Sequence, residues 1–281
     1  WAEQARAEGL PVVVQQNSMD LVGEFTLAEY NLFDYMPNWI QPLVGTAAER
    51  AQKLRDPHLR EAMKRDVEER PHSRTNWSMM HVAQATQERN LRYEGLSIAA
   101  IATEQGKHPL DTFLDLALDE DLQMMFTHAV AYRGEEKLAQ RITNPYAHIS
   151  LSDGGAHVRY LTASMWPVHF LIYWIRERHL MILEQAHYKM SAYPAWIANY
   201  KNRGTLRLGD WADIMVYDLE KLGYVYDKPI YANDFPGNER RFIQKPTGIR
   251  YILVNGGVTF QENQCTGSLP GKLLRSYDMV S

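Results

Sequence analysis

Cysteine is nearly absent from the sequence, which contains only Cys265 among 281 residues. A single thiol cannot build an internal disulfide framework or a cysteine-rich zinc module. A reducing compartment fits this composition best, so we expect a cytoplasmic protein. The sequence also lacks a run of roughly 20 apolar residues, the length that a membrane-spanning helix needs. We therefore expect no membrane partner.

Charge of one sign is not in excess either. The 30 lysines and arginines are balanced by 34 aspartates and glutamates, for a formal net charge of -4. A general nucleic-acid binder needs a basic field that displaces counterions from phosphates, so we expect no nucleic-acid partner. Hydrophobic residues at 45% and charged residues at 23% are typical of globular proteins and exclude wholesale disorder.

Several common catalytic signatures are missing as well. The sequence has no Gly-x-Gly-x-x-Gly, phosphate-binding loop, His-Glu-x-x-His, Gly-x-Ser-x-Gly or Cys-x-x-Cys motif, and no His-x-His pair. The ten histidines are scattered along the chain. Motif matching alone therefore assigns no dinucleotide, nucleoside triphosphate, zincin or α/β-hydrolase chemistry.

Over roughly the first hundred residues the pattern predicts helices, one starting at Asp56-Pro57 and one capped by Ser97 and ended by Gly106, with strand candidates at 12–16 and 77–82. Residues 1–8 are typical of an amphipathic helix, and the β-branched run at 12–16 predicts a buried parallel strand. Residues 17–45 are irregular and rich in aromatic side chains. This segment is either a loop packed by its own side chains or a lid that forms a substrate wall.

The middle of the chain has the most regular pattern. Residues 122–128 predict a strand, residues 134–142 a helix and residues 148–152 a second strand, which together form a βαβ unit. We expect the two strands to be adjacent and parallel. His128 and Asp153 then fall at the carboxyl ends of strands, where α/β barrels place their catalytic groups.

After Gly204 the pattern changes to alternating strands, with a hairpin signal at Asn255-Gly256. Residues 205–260 are therefore expected to form mainly antiparallel sheet. We predict one domain over residues 1–203, with a lid-like insertion at about 17–95, and a second domain over residues 204–281.

The segment S-D-G-G-A-H at 152–157 is the most informative motif. Asp153 follows a β-run directly and precedes two glycines, so its carboxylate lies at a strand mouth where the backbone turns tightly. A turn aspartate that caps the next helix would give the same pattern.

This segment resembles the last barrel-strand motif of the amidohydrolase superfamily, in particular its D-aminoacylase branch of N-acyl-D-amino-acid deacylases. Other segments resemble the same branch in the same order, over roughly residues 95–275. They are W-I-R-E-R at 174–178, M-S-A-Y-P-A at 190–195, R-G-T-L-R-L-G-D-W-A-D-I-M-V-Y-D at 203–218, V-N-G-G-V at 254–258 and T-G-S-L-P-G-K at 266–272.

The resemblance implies an α/β fold, namely the C-terminal part of a metal-dependent (β/α)8 barrel with a small β-sandwich. It implies zinc, one or two ions, and hydrolysis of a small-molecule amide by metal-bound water. Asp153 matches the residue that takes the proton of that water and returns it to the leaving nitrogen, and it is also a candidate metal ligand. His157 and His128 are weaker candidates for contacts with the substrate or the ligands.

Two departures from the family pattern matter. The other metal ligands of the family lie on barrel strands that would precede Trp1, so we expect them in an N-terminal half present as a separate or cleaved chain. We expect the assembled unit to form a homo-oligomer. In D-aminoacylases an arginine that holds the substrate carboxylate follows an aromatic-proline pair, whereas here Val168 and His169 follow Trp166-Pro167.

The sequence therefore predicts a metal-dependent hydrolase that cleaves the C–N amide bond of an N-acyl amino acid or a similar small amide. It is expected to be active only when the missing half completes it. The alternative is a non-catalytic scaffold or regulatory subunit that keeps the barrel-end fold, in which Asp153 is only a turn residue.

Overall fold

A computed structural model of the chain describes residues 1–29, 32–131, 134–152, 154, 158–159, 163–224 and 230–275. The α-helices within these residues are α1 (Ala2–Ala7), α2 (Pro37–Ile40), α3 (Ala47–Lys53), α4 (Pro57–Glu69), α5 (Ile98–Gln105), α6 (Pro109–Asp119), α7 (Glu135–Thr143), α8 (Trp166–His169), α9 (Leu183–His187) and α10 (Tyr193–Ile197). Short 3-10 helices cover Ser73–Thr75, Glu88–Tyr93 and Pro236–Asn238, and π-helices Phe170–Glu177 and Tyr188–Ala192 continue α8 and α9.

The strands of the described residues form five small sheets. The strands are β1 (Val14–Gln16), β2 (Leu21–Phe25), β3 (Val82–Gln84), β4 (Met125–Ala131), β5 (Ala147–Ile149), β6 (Ile214–Tyr217), β7 (Gly223–Tyr224), β8 (Ile230–Phe235), β9 (Glu239–Ile243), β10 (Pro246–Thr247), β11 (Ile249–Val254), β12 (Gly257–Gln261) and β13 (Gln264–Cys265). The sheet orders are β1-β5, β2-β4-β3, β10-β7, β8-β9 and β13-β12-β11-β6.

The chain divides into two compact units. Unit 1 comprises residues 1–19 and 133–281, and unit 2 comprises residues 20–132. Both units combine helices with strands, so the fold is α/β as predicted. The predicted boundary near residue 203 falls inside unit 1, and the predicted domain division stays a prediction.

Unit 2 is built on a core of aromatic side chains. Phe25, Phe33, Trp39, Phe113 and Phe126 are all fully buried. The Phe33 and Trp39 ring centroids are 4.3 Å apart, and those of Phe113 and Phe126 are 4.7 Å apart. Phe25, Phe33 and Trp39 come from the aromatic-rich segment at 17–45, so these side chains pack the core of the unit. A lid function of that segment stays a prediction.

The helix ends of unit 2 follow from local chemistry. Asp56 accepts a hydrogen bond from the His58 backbone N–H at 2.8 Å, and Pro57 occupies the first turn of α4. The Ser97 hydroxyl accepts a hydrogen bond from the Ala100 N–H at 3.2 Å, and α5 ends at Gly106, whose φ of 64° is left-handed. These helix starts and stops are confirmed.

The predicted βαβ unit is wrong. Strand β4 pairs antiparallel with both β2 and β3, whereas β5 pairs with β1 in a different sheet. His128 is the fourth residue of the seven in β4, so its predicted place at the carboxyl end of a strand is also wrong. Strands that follow one another in the sequence are not neighbours here, because β4 pairs with β2 and β5 pairs with β1. Strand β2 lies within residues 17–45, for which the sequence pattern predicts an irregular segment.

Unit 1 confirms two other expectations. Strand β1 pairs parallel with β5, with Val14 opposite Ala147 and Gln16 opposite Ile149. All the sheet pairings described between residues 205 and 260 are antiparallel. Asn255 and Gly256 adopt φ of 48° and 81°, the left-handed pair that joins β11 to β12 in a tight hairpin.

The core of unit 1 surrounds the π-helix Phe170–Glu177, in which Phe170, Leu171 and Trp174 are buried. The Trp174 indole N–H donates to the Ser18 carbonyl oxygen at 2.6 Å, which ties this core to the segment after β1. Among the described residues, no helix is long and apolar enough to span a membrane.

Candidate functional site

The carboxyl ends of β1 and β5 meet at one edge of their parallel sheet. The Ser150 N–H donates to the Gln16 carbonyl oxygen at 2.9 Å, which continues the pairing one residue beyond β5. The residues that follow are polar on both sides, with Asn17 and Ser18 after β1 and Ser152 after Ser150. The segment at 152–157 therefore begins at the edge where parallel α/β sheets place their ligands.

The backbone is strained at this edge. Leu151 has a φ of 81°, a left-handed conformation that costs a non-glycine residue about 1–3 kcal/mol. Its side chain is 40% exposed, so burial does not explain the conformation. The surrounding structure holds it by a hydrogen bond at 2.8 Å from the Ala163 N–H to the Ser152 carbonyl oxygen. Strain of this kind is characteristic of functional turns.

Two serine hydroxyls restrict the space beside Gly154 in the turn after Leu151. The Ser152 hydroxyl accepts a hydrogen bond from the Gly154 N–H at 3.1 Å. A Cβ at Gly154 would lie 2.6 Å from the Ser164 Oγ atom and 3.1 Å from the Ser152 Oγ atom. A side chain at Gly154 would displace these hydroxyls, so the glycine preserves the hydrogen bond from its N–H to Ser152.

Asp153 and His157, the two predicted site residues of this segment, lie outside the described residues. Their assignments as proton-transfer group, metal ligand and substrate contact stay predictions.

His128, the third predicted site residue, lies in unit 2. It is 5% exposed, and its ring stands edge-on to Phe25 with the centroids 5.7 Å apart. Gly23 is directly opposite it on β2, and a Cβ there would lie 2.5 Å from the His128 Nε2 atom. The missing side chain of Gly23 thus makes room for the imidazole. A contact of His128 with substrate stays a prediction.

Sequence reasoning missed the polar residues at the end of β1. The Gln15 side-chain amide donates to the Ser150 Oγ atom at 2.8 Å. Gln16 is 7% exposed, and its amide donates to the Asn17 Oδ1 atom at 2.8 Å. These groups donate or accept hydrogen bonds but do not act as bases near neutral pH. The run Q-Q-N-S after three valines is the sequence feature that could have shown them.

Two titratable groups lie at β5, the buried Lys189 and the half-buried His148. The Lys189 ammonium donates to the carbonyl oxygens of Asn144 and Ala147 at 2.7 and 2.9 Å, and burial lowers its pKa. Burial, with a smaller contribution from Lys189, also lowers the pKa of His148. The imidazole of His148 is therefore mostly neutral near pH 7 and suits a structural position.

His169 stands in the segment where the family has its carboxylate-binding arginine. Its ring stacks on Tyr173 with the centroids 5.3 Å apart. Burial lowers the pKa of His169 to about 4, with Glu177 opposing the shift. The ring is therefore uncharged at neutral pH and cannot replace an arginine in an ion pair with a substrate carboxylate.

A complete metal site is not formed by the residues that the structure describes. Within those ranges, no three histidine, cysteine, aspartate or glutamate side chains group closely enough to hold an ion. A catalytic zinc takes about three protein ligands. The described residues thus do not by themselves complete the zinc site that the resemblance implies.

Comparison with known proteins confirms the resemblance to the D-aminoacylase branch of the amidohydrolases. One such relative is N-acyl-D-glutamate deacylase from Alcaligenes xylosoxydans xylosoxydans, which is 28% identical over 151 residues, covering 52% of this chain and 28% of that protein. Uncharacterised proteins of Mycobacterium tuberculosis and Mycobacterium bovis are 31% identical over 188 residues, covering 62% of this chain and 29% of theirs. No family model matches the chain.

Solved structures of the same branch overlap the chain weakly. A D-aminoacylase crystal structure is 22% identical, covers 67% of this chain and 36% of its own, and has a TM-score of 0.41. N-acyl-D-glutamate deacylase from Bordetella bronchiseptica, complexed with zinc and a phosphonate inhibitor, is 19% identical, covers 92% and 48%, and has a TM-score of 0.42. At these TM-scores the overlaps add nothing to the sequence resemblance.

The matched segments span less than a third of the length of the curated relatives, 29% for the mycobacterial proteins and 28% for the deacylase. These matches therefore do not establish the activity of the whole protein.

Proposed function

We propose that the chain contributes the C-terminal part of a metal-dependent amidohydrolase that cleaves the C–N amide bond of an N-acyl amino acid or a similar small amide. One observation carries the proposal. The family motif at 152–157 begins at a strained turn just beyond β5, at the carboxyl edge of a parallel strand pair.

Asp153 is the residue to which we assign proton transfer. Amide hydrolysis requires a base that removes a proton from the attacking water and an acid that protonates the leaving nitrogen, and one carboxyl group can do both in turn. The hydrogen bonds at Ser152 and the restricted space at Gly154 hold the backbone on either side of it. The amides of Gln15 and Asn17 lie on the adjacent strand end, where they could orient a polar substrate.

Zinc, as one or two ions, is the cofactor that the resemblance implies, and when bound it would activate the water and polarise the carbonyl. The resemblance implies that most of its ligands come from outside this chain, and the described residues by themselves do not complete a site. This part of the proposal therefore includes a completing N-terminal half as partner, with the assembled unit forming a homo-oligomer in the cytoplasm.

Fewer strands are candidates for the barrel than the sequence predicts. Strands β1 and β5 are candidates for the last strands of a (β/α)8 barrel, and the strands from β6 onward are candidates for the β-sandwich. Strand β4 is not a candidate barrel strand, because its antiparallel pairing is incompatible with a place between parallel strands.

The neutral His169 widens the class of candidate substrates. Because that ring is neutral near pH 7, a carboxylate-bearing N-acyl-D-amino acid would need another cation to hold it. We therefore include amides without a carboxylate among the candidate substrates.

The experiment is to purify the chain together with the polypeptides that accompany it in the cell. The assembly is then tested on N-acyl-D-amino acids, N-acyl-L-amino acids and uncharged amides, and its bound metal is measured. Release of the amine from at least one class, together with about one or two zinc ions per assembly, is the expected result. An assembly without metal and without turnover of any amide would instead support the scaffold or regulatory subunit.

A further inference from the structure

A second cleft lies at the other end of β5, within unit 1. It has a volume of about 540 Å³ and is lined in part by Pro145 and Tyr146, which directly precede that strand. Small-molecule sites typically measure about 300–1,000 Å³. The strained turn at Leu151 follows the carboxyl end of the same strand, so the cleft is separate from the proposed hydrolytic site.

One wall of the cleft is a row of parallel aromatic rings. The centroids of Tyr188 and Tyr193 are 5.5 Å apart with the ring planes 10° from parallel, and those of Tyr193 and Trp196 are 5.9 Å apart at 16°. Tyr193 is buried in the middle, whereas Tyr188 and Trp196 are 55% and 64% exposed. The row thus presents large, flat ring surface to solvent.

The π-helix explains how Tyr188 and Tyr193 come together. Residues five apart on an α-helix point in clearly different directions, because five residues rotate about 140° past a full turn. The segment Tyr188–Ala192 is π-helical, and its wider turn brings such residues closer to the same face. Trp196 is three residues beyond Tyr193 on α10, which is the ordinary spacing of neighbours on an α-helix.

Charged groups of both signs complete the lining, with three arginines and the single carboxylate of Asp210, which accepts a hydrogen bond from the Thr205 hydroxyl. The Arg6 guanidinium carbon lies 5.3 Å from the centroid of the Tyr146 ring. Among the residues that the structure describes, neither Arg6 nor Arg207 forms an ion pair, although both line the cleft. Arg203 differs, because it pairs with Asp213. Two guanidinium groups are therefore available to an anion.

Gly204 holds a second lining segment, residues 202–207, close to the helix that carries the aromatic row. This residue has a φ of 79°, and a Cβ there would lie 2.7 Å from the Ala195 Cβ atom and 2.8 Å from the Ser191 carbonyl oxygen. The segment that carries Arg203 and Arg207 thus packs closely against the aromatic helix. A site whose walls are fixed in this way loses little entropy when a ligand binds.

We propose that this cleft binds a small molecule in which a planar aromatic ring carries an anionic group. The ring stacks on the exposed aromatic surface of Trp196, and the anionic group pairs with Arg6 and Arg207. A nucleoside phosphate and an aromatic carboxylate share this chemistry. The site is independent of amide hydrolysis, since its residues lie at the opposite end of β5.

The test is a calorimetric titration of the 281-residue chain at low ionic strength with adenosine 5′-monophosphate and, separately, with 3-phenylpropanoate, which has an aromatic ring and a carboxylate but no amide bond. At least one of them is expected to bind with a Kd of about 1 mM or tighter. Adenosine lacks the anion and ribose 5-phosphate lacks the ring, so each should bind at least about fivefold more weakly than the nucleotide if that is the ligand. Binding of the nucleotide alone identifies a nucleotide site, and binding of 3-phenylpropanoate alone identifies an aromatic carboxylate site.

Two variants in the lining and two controls outside it show whether the ligand binds in this cleft. Trp196→Ala should weaken it about tenfold through lost stacking, and Arg6→Gln about fivefold with a reduced dependence on salt. Trp1→Ala and Arg65→Gln change the same residue types at exposed positions outside the lining and should leave the Kd unchanged. Melting curves of each variant confirm that it is folded.

Two results would overturn the proposal. One is the failure of both probes to bind at 10 mM. The other is binding that Trp196→Ala and Arg6→Gln leave as tight as in the original chain. Neither result bears on amide turnover, so this proposal and the proposed hydrolase can fail separately.

Discussion

Strands β4 and β5 have similar sequence patterns but occupy different structural settings. Each is an apolar run that contains a histidine, and each was predicted to carry a catalytic group at its carboxyl end. In the structure, β4 is the central strand of an antiparallel sheet and buries His128 against Phe25. Strand β5 pairs parallel with β1 and leads into the strained turn at Leu151.

The difference shows which features distinguish a packing position from a candidate functional one. At β4 the room for a polar side chain is created inside the core by Gly23. At β5 the polar groups Gln15, Ser150 and Ser152 gather at a sheet edge, beside backbone that is held in an unfavourable conformation. Strained backbone among polar side chains, as at the end of β5, is stronger evidence of a functional site than a histidine buried in a core, as at β4.

The largest change in stability is expected at Gly23. Gly23→Ala places a Cβ against the His128 ring and should lower the free energy of unfolding by about 2–3 kcal/mol, as overpacking of a core does. Urea denaturation measures it. Gly271→Ala is the matched control, because no atom lies within 4 Å of a Cβ at that position.

A double-mutant cycle tests the cause of that loss. If the clash with the imidazole is responsible, Gly23→Ala should cost much less in a His128→Ala background than in the original chain. Equal costs in the two backgrounds would show that His128 is not what Gly23 accommodates.

A smaller effect is expected from His169 as the pH changes. Its pKa is lowered by burial to about 4, so protonation favours the unfolded chain, where the pKa is near 6.5. The contribution to stability is complete above about pH 6.5 and is lost as the pH falls toward 4. Between pH 7 and pH 5 the loss from this group should be about 2 kcal/mol.

His169→Phe keeps a ring to stack on Tyr173 but cannot be protonated, so its loss of stability over the same pH range should be smaller by that amount. His58→Gln, at an exposed position of α4, serves as the control. Denaturation curves at pH 7 and pH 5 decide the matter. An unchanged pH dependence in His169→Phe would show that His169 is not the group that titrates.

The smallest effect is expected at Leu151. Leu151→Gly relieves the left-handed strain and should raise the free energy of unfolding by about 1 kcal/mol. Leu96 has the same exposed fraction, 40%, and does not have a positive φ, so Leu96→Gly should instead be destabilising by about 1 kcal/mol. Destabilisation of both variants to the same degree would remove the evidence that the turn at β5 is strained.

Much of the local structure could be predicted because it depends on nearby residues. The cap at Ser97, the left-handed stop at Gly106 and the hairpin at Asn255-Gly256 each follow from one or two side chains. The partner of β4 could not be predicted in this way. It depends on β2, whose five residues lie about a hundred positions earlier in a segment without clear alternation.

Only part of the candidate site could be predicted from the sequence, for a similar reason. Asp153 was found through a local motif, whereas Gln15 and Asn17 matter only because β1 pairs with β5. That pairing joins segments about 130 residues apart, which no local pattern reveals. The neutral state of His169 likewise depends on burial by distant parts of unit 1.

Turnover by the Asp153→Asn variant tests the central claim most directly. In the complete assembly this change keeps the size of the side chain but removes the base, so amide hydrolysis should fall by roughly two to four orders of magnitude while the melting temperature stays the same. Asp121→Asn is the matched control, because residue 121 is exposed and its φ of 51° suits asparagine. Full turnover by Asp153→Asn would contradict the account.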